Sequence, residues 1–354
     1  MDIQDLLSKT VQNNASDLHL VVGEHPVLRI DGRLTNLNTY PEVTSSEMER
    51  MIGTILSQNQ RELLTSNRNL DFSYAFGGGN YGDIGRFRVN CFYQRGTLAA
   101  AFRLLPAKIR TIEELGLPNI CHNFATLKQG FILVTGPTGH GKSTTIAAIL
   151  NEINLTRATN ILTIEDPIEY VYPKGKSIIT QRELGSDTHS WHEGLKNALR
   201  EDIDVVLIGE MRDPESIAAA ISIAETGHLV FSTLHTNSAS QSIDRIIDSF
   251  PENQQAQIKT QLAATLGGII SQRLLERLDS GRVVATEVLL TTNGVRANIR
   301  DGKTHLIDSI LETSQNEGMI PLEVSLANLV KEGIVSLENA KSYALHPDAF
   351  LRLL

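Results

Sequence analysis

Apolar residues follow two different rhythms along this chain. Over about the first 105 residues they alternate with polar ones, the period of half-buried strands. Phe87, Val89, Cys91 and Tyr93 share one face of a strand over 86–93, and Arg86, Arg88 and Asn90 share the other. The same reading predicts strands over 16–22, 25–34, 70–76 and 97–105. Turns fall at Gly77-Gly78-Gly79-Asn80 and Gln94-Arg95-Gly96. Thr44-Ser45-Ser46-Glu47 is a capping box, and the helix it starts turns Met48, Met51, Ile52 and Ile55 inward. This part reads as α+β. Pro106 ends the pattern, and 106–112 reads as a linker.

From about Gly130 the rhythm changes. Short continuous apolar runs at 131–135, 161–164, 205–208 and 229–231 suit strands of a parallel sheet covered on both faces. Helical segments intervene after the first run, over 191–200 and over Pro214–Glu225. The expected fold is therefore an α/β core over 113–354, mostly helical from about 294, behind an N-terminal domain over 1–105. No internal repeat or low-complexity segment interrupts it.

Composition narrows the function. Of 354 residues, 41% are hydrophobic and 21% charged, normal for a globular chain. A net charge of −9 repels nucleic acid in bulk, so no nucleic-acid partner is expected. Cys91 and Cys121 lack metal-ligand spacing and read as reduced core thiols. No apolar run reaches the roughly 18 residues of a membrane span. The start, Met1-Asp2-Ile3-Gln4-Asp5, is acidic and polar, unlike a secretory signal. A cytoplasmic protein without a transmembrane segment is expected.

The chemistry centres on Gly136-Pro137-Thr138-Gly139-His140-Gly141-Lys142-Ser143, a complete GxxxxGK[ST] phosphate loop between a strand and the helix that begins near Thr144. Its backbone N–H groups would wrap a β-phosphate, with the helix terminus adding positive potential. Lys142 would bind β- and γ-phosphate oxygens of ATP, and Ser143 would ligate Mg²⁺. The strand 205–208 leads through Gly209 to Glu210, the best candidate for polarising the attacking water. A second strand delivers Glu165, Asp166 and Glu169 to the same edge of the sheet. Ordinary solvated acids at strand ends are the competing reading. His228 and His235 bracket a third strand, where a histidine near a γ-phosphate could sense it, although a lone histidine is more often structural. Arg86, Arg88, Arg95 and Arg103 crowd one hairpin, either as cations for the transferred phosphoryl group or as a solvated face.

Taken together, these motifs resemble the secretion ATPases, RecA-like hexameric motors of type II secretion and type IV pili. Gly136 to Ser143 matches the Walker A motif. Thr163-Ile164-Glu165-Asp166-Pro167-Ile168-Glu169-Tyr170 resembles the Asp box. The stretch from Leu199-Arg200-Glu201-Asp202 through Gly209-Glu210-Met211-Arg212-Asp213 resembles the Walker B motif, and Gly227-His228 through His235-Thr236-Asn237 the His box. Within that superfamily the chain is similar to the PilT-type pilus retraction ATPases over its whole length. Ala15 to Leu20 and Arg29-Ile30-Asp31-Gly32 resemble the PAS-like N-terminal domain of that group. Val295-Arg296-Ala297-Asn298-Ile299-Arg300-Asp301 is a variant of its retraction signature helix.

The resemblance implies a homohexamer that uses ATP and Mg²⁺ to retract a pilus. The motor would sit peripherally at the inner membrane and engage a platform protein there. It implies roles for Glu210 with water, for Glu165 and Asp166 in the metal and water shell, for His235 as nucleotide sensor, and for Arg88 and Arg103 at ATP. His140 stands where the family usually has serine, which could add pH sensitivity, and Ile203 replaces a usual proline. A pilus-assembly or type II secretion ATPase is the nearest alternative. With two cysteines the chain cannot build the four-cysteine zinc module common there. A nucleotide-switched binding module with little turnover is the third reading.

Overall fold

Alternation in the first hundred residues produces an antiparallel sheet. In a computed structural model, which describes residues 1–77, 85–106, 108–211 and 213–354, its strands are β1 (Asp17–Val21), β2 (Val27–Ile30), β3 (Arg33–Asn36), β4 (Asn69–Phe76), β5 (Gly85–Gln94) and β6 (Thr97–Leu104). They lie in the order β3-β2-β1-β6-β5-β4. The chain divides into two units, Met1–Lys108 with Pro167–Val171, and Ile109–Asp166 with Tyr172–Leu354.

In the first unit Leu18, Leu20, Leu28, Phe87, Val89 and Phe102 pack with Met48, Met51 and Ile52 of the helix Ser45–Ile55. The Thr44–Glu47 capping box forms in both directions, while Ile55 is only half-buried. The one strand expected over 25–34 is two. Asp31 and Gly32, at φ 47° and 79°, fold it into a tight hairpin, because an Asp-Gly pair supplies the positive φ such a turn demands. Of the expected glycine turn, residues 78–80 lie outside the described residues.

The second unit holds β7 (Gly130–Thr135), β8 (Asn160–Glu165), β9 (Ile178–Glu183), β10 (Val205–Ile208), β11 (Leu229–Leu234), β12 (Leu266–Glu276) and β13 (Arg282–Leu290). Their order is β13-β12-β7-β11-β10-β8-β9, parallel except between β12 and β13. Separate apolar clusters cover the two faces of β7, β8, β10 and β11, which is why those strands read as unbroken apolar runs. The sequence reading missed β9, an edge strand whose Ile178 is 70% exposed. It also missed the β12–β13 hairpin, whose polar Ser271, Gln272 and Arg273 break the apolar run although all three are buried. Beyond Asn293 the chain is helical as expected, and Leu322, Leu326 and Phe350 pack on Leu275 and Ala285 of the hairpin. Among the described residues no helix is long and apolar enough to cross a membrane.

Cys91 and Cys121 are both free and buried, one in each unit. Burial, aided by Asp71 and Glu152 respectively, pushes both thiols up to about 12. Neutral buried thiols are poor nucleophiles. Iodoacetamide at neutral pH should therefore leave both unmodified in the native protein and alkylate both in denaturant. Native labelling at the rate of a free cysteine would show one unit to be open.

Candidate active site

The phosphate loop leaves β7 at Gly136 and enters the helix Lys142–Thr156. Gly136 takes φ 142°, and a Cβ there would lie 2.5 Å from the carbonyl oxygen of Gln272 on β12. Only glycine permits that approach. The helix has Gly141 as its N-cap and no side-chain cap, so its terminal N–H groups and dipole serve the loop. Thr138 and Gly139 form the exposed tip, and Ser143 and Thr144 are half-buried in the first turn. Lys142 is buried and folds back over the loop, its Nζ donating to the carbonyls of Gly136 at 2.8 Å and Pro137 at 3.1 Å.

His235, just past the end of β11, ties the loop to the next strand. Its Nδ1 lies 3.2 Å from Thr138 Oγ1 and 3.4 Å from Lys142 Nζ. Its Nε2 lies 3.2 Å from Glu210 Oε1. An ammonium can only donate, so Nδ1 is the acceptor and the ring proton on Nε2 faces the carboxylate. Four residues singled out from sequence, Thr138, Lys142, Glu210 and His235, are thereby brought into one chain of contacts.

Glu210 is delivered by Gly209, which directly follows β10. Gly209 N–H donates to Ile164 O at 2.8 Å, and Thr233 Oγ1 donates to Gly209 O at 2.6 Å. A Cβ on Gly209 would sit 3.3 Å from Glu165 Cα and 3.6 Å from Trp191. The close approach of β8 and β10 therefore leaves little room for a side chain there. Glu165 is buried at the end of β8 and accepts from Thr163 Oγ1 at 2.7 Å and Gln181 Nε2 at 3.4 Å. Asp166 beside it is exposed. Arg212 lies outside the described residues.

Arg88 and Arg103 belong to the first unit, where they are cross-strand neighbours on β5 and β6. Arg103 Nε donates to Asp17 Oδ1 at 2.9 Å, and Arg88 Nε lies 3.9 Å from Asp71. Burial would raise the Asp17 carboxyl, but bonds from Ser16 and Arg103 outweigh it and hold it low. Each arginine thus has a resting carboxylate partner.

Sequence reasoning missed the strand that holds the loop from behind. Gln272 Oε1 accepts from Thr145 Oγ1 at 2.9 Å, and Gln272 Nε2 donates to His140 O at 2.5 Å. Leu274 N–H donates to His140 Nδ1 at 3.0 Å, and Thr135 Oγ1 bonds Ser271 Oγ at 2.7 Å. Arg273 turns the other way and donates to Asn237 O at 2.8 Å, fixing the segment after His235. Glu287 on β13 accepts the Ala239 N–H at 2.7 Å. Burial pushes its carboxyl up to about 7, despite that bond, with Asp308 and Glu323 adding to the rise. The signal available in the sequence was the polar triplet Ser271-Gln272-Arg273 set between apolar residues.

Gln272→Ala removes two of these fastenings, and nucleotide affinity should fall about tenfold, about 1.4 kcal/mol. Gly136→Ala should abolish binding, since β12 would have to move. Titration with a fluorescent nucleotide checks both, and wild-type affinity in either variant would refute the role given to β12.

Comparison with known proteins agrees with this geometry. Residues 1–331 match the model of the Type II/IV secretion system protein family. The chain is 42% identical over 350 residues to the type IV pilus retraction ATPase PilT of Pseudomonas aeruginosa, covering 99% of this chain and all of that one. It is 43% identical to a twitching motility protein of Neisseria gonorrhoeae over 92% of this chain and 85% of that one. A crystal structure of the pilus retraction motor PilT with bound ADP superposes with a TM-score of 0.91 at 44% identity, over 99% of both chains. With a P-loop, the acids at the neighbouring strand ends and a likeness that spans the whole chain, this protein belongs to the Type II/IV secretion system protein family.

Proposed function

We propose that this chain is the ATP-hydrolysing motor of type IV pilus retraction. The observation that carries the reading is the contact of His235 with both Lys142 and Glu210, in a chain similar end to end to a pilus retraction ATPase. A residue touching the phosphate-binding lysine and the candidate water-polarising acid can convert the presence of a γ-phosphate into a change of position. In this reading Lys142 exchanges the Gly136 and Pro137 carbonyls for β- and γ-phosphate oxygens. The loop from Gly136 through Thr138, Gly139, His140 and Gly141 to Thr144 wraps the phosphates. Glu210 orients the attacking water. Arg88 and Arg103 are candidate cations for the transferred phosphoryl group on residue chemistry alone.

The hydroxyl of Ser143 with the carboxylates of Glu165 and Asp166 is an all-oxygen donor set, which suits Mg²⁺. When bound, the ion would neutralise charge on the phosphates. The motor works as a homohexamer on the cytoplasmic side of the inner membrane, peripheral at the base of the pilus, against a platform protein. A net charge of −9 supports a protein partner over nucleic acid.

Glu210→Gln should bind nucleotide and lower steady-state ATP turnover by about 100-fold or more. Turnover equal to the wild type's would remove Glu210 from the chemistry. Deleting the gene should give hyperpiliated cells that do not twitch, whereas loss of pili would point to assembly instead.

A further inference from the structure

His140 is held on both sides of its ring. Its Nδ1 accepts the backbone N–H of Leu274 at 3.0 Å. Its ring stands edge-on to Tyr343, with centroids 5.9 Å apart and planes at 65°. Tyr343 ends the helix Leu337–Tyr343 and packs with the C-terminal apolar cluster. The same residue's carbonyl takes the Gln272 side chain. One loop residue therefore joins the phosphate loop to β12 and to the C-terminal helices.

The bond to Leu274 fixes the state of the ring. A backbone N–H can only donate, so Nδ1 must carry a lone pair and the proton of the neutral ring sits on Nε2. A proton on Nδ1 would set N–H against N–H and break the contact. The charged groups around the ring are Lys142 in the loop, Arg273 on β12 and Arg282 on β13, with the Tyr343 phenol on the helical side. Burial first, then these three cations, hold His140 below its ordinary value of 6.5. The neutral ring is thus the resting state near neutral pH. Because the folded value is depressed, the contact is complete above the ordinary value and is lost as pH falls through the depressed one.

We propose that His140 is a positioning residue acting as a proton-sensitive latch: its neutral ring holds the phosphate loop on β12, and its protonation frees the loop and weakens nucleotide binding. The latch rests on nucleotide binding at this loop. A serine at position 140 would be too short to make either contact of the ring.

The test is binding of a fluorescent ADP analogue to the full chain from about pH 8 to about pH 5. It is run on wild type, His140→Asn and His140→Ser. Wild-type affinity should fall about three- to tenfold along the acid limb, the worth of one hydrogen bond. Both variants should flatten that limb, and the comparison cancels titration of the nucleotide and of every other group. In the nucleotide-free wild type, the ¹⁵N shifts of the His140 ring should show an unprotonated Nδ1 near neutral pH, lost over the same range as affinity. An acid limb equally steep in wild type and His140→Asn, or a proton on Nδ1 near neutral pH, overturns the latch alone. Absence of nucleotide binding by wild type at every pH overturns the reading of the site with it.

Discussion

A loop that is to give its N–H groups to phosphate has to be held by its other atoms. Here the carbonyls carry that duty. Lys142 takes those of Gly136 and Pro137, and Gln272 takes that of His140. The second unit is arranged around this requirement. β12 lies beside β7, close enough for the Gln272 carbonyl to exclude any side chain at position 136, and its run of polar residues is buried because each has a loop or strand partner. Buried polar atoms without partners would each cost about 1–3 kcal/mol, so the bonds to Thr135, to the loop and to Asn237 are what let Ser271, Gln272 and Arg273 lie in a hairpin otherwise buried by its apolar residues.

In the proposed function the lysine would have two sets of partners. An ammonium buried against two carbonyls is satisfied without ligand, which is how a cation survives in this position. Phosphate oxygens are stronger acceptors than carbonyls because the bond is charge-assisted on both sides. A bound nucleotide would therefore draw Lys142 away from Gly136 and Pro137, and His235, which lies 3.4 Å from the same nitrogen, would feel the exchange. Glu210 lies on the far side of that imidazole. The geometry thus links the state of the loop to the position of the acid through one ring.

How much of this the sequence revealed depended on whether the signal was local. The loop, its flanking strand and helix, and the acids after β8 and β10 were legible because each is a short motif with its physical reason inside it. The contact of His235 with Lys142 and Glu210 joins residues far apart in the chain and depends on the parallel register of β10 and β11. Only a sense of the strand order could have suggested it. The reason for Gly209, the Glu165 backbone 3.3 Å from where a Cβ would lie, is on another strand. β12 was overlooked because period and polarity disagree there: Ser271, Gln272 and Arg273 are buried for their partners rather than for their apolarity. Asp31-Gly32 was a local signal that alternation overrode, since residues on both sides of the turn continue an apolar and polar pattern.

The loop and the segment after His235 also share a support. Gln272 and Leu274 hold the loop at His140, while Arg273 between them holds the Asn237 carbonyl just beyond His235. Successive side chains of a strand point to opposite faces, so one three-residue stretch of β12 grips the loop and the segment after His235 from its two sides. On β13, Glu287 caps the helix that follows that segment and stands opposite Ser271 in the ladder. Both the loop and the segment after His235 are therefore fastened to the same hairpin, on which the C-terminal helices pack. Packed interfaces tend to be bistable rather than continuously deformable. The hairpin is accordingly where the loop, the segment after His235 and the C-terminal helices meet, and the latch at His140 sits at its contact with the loop.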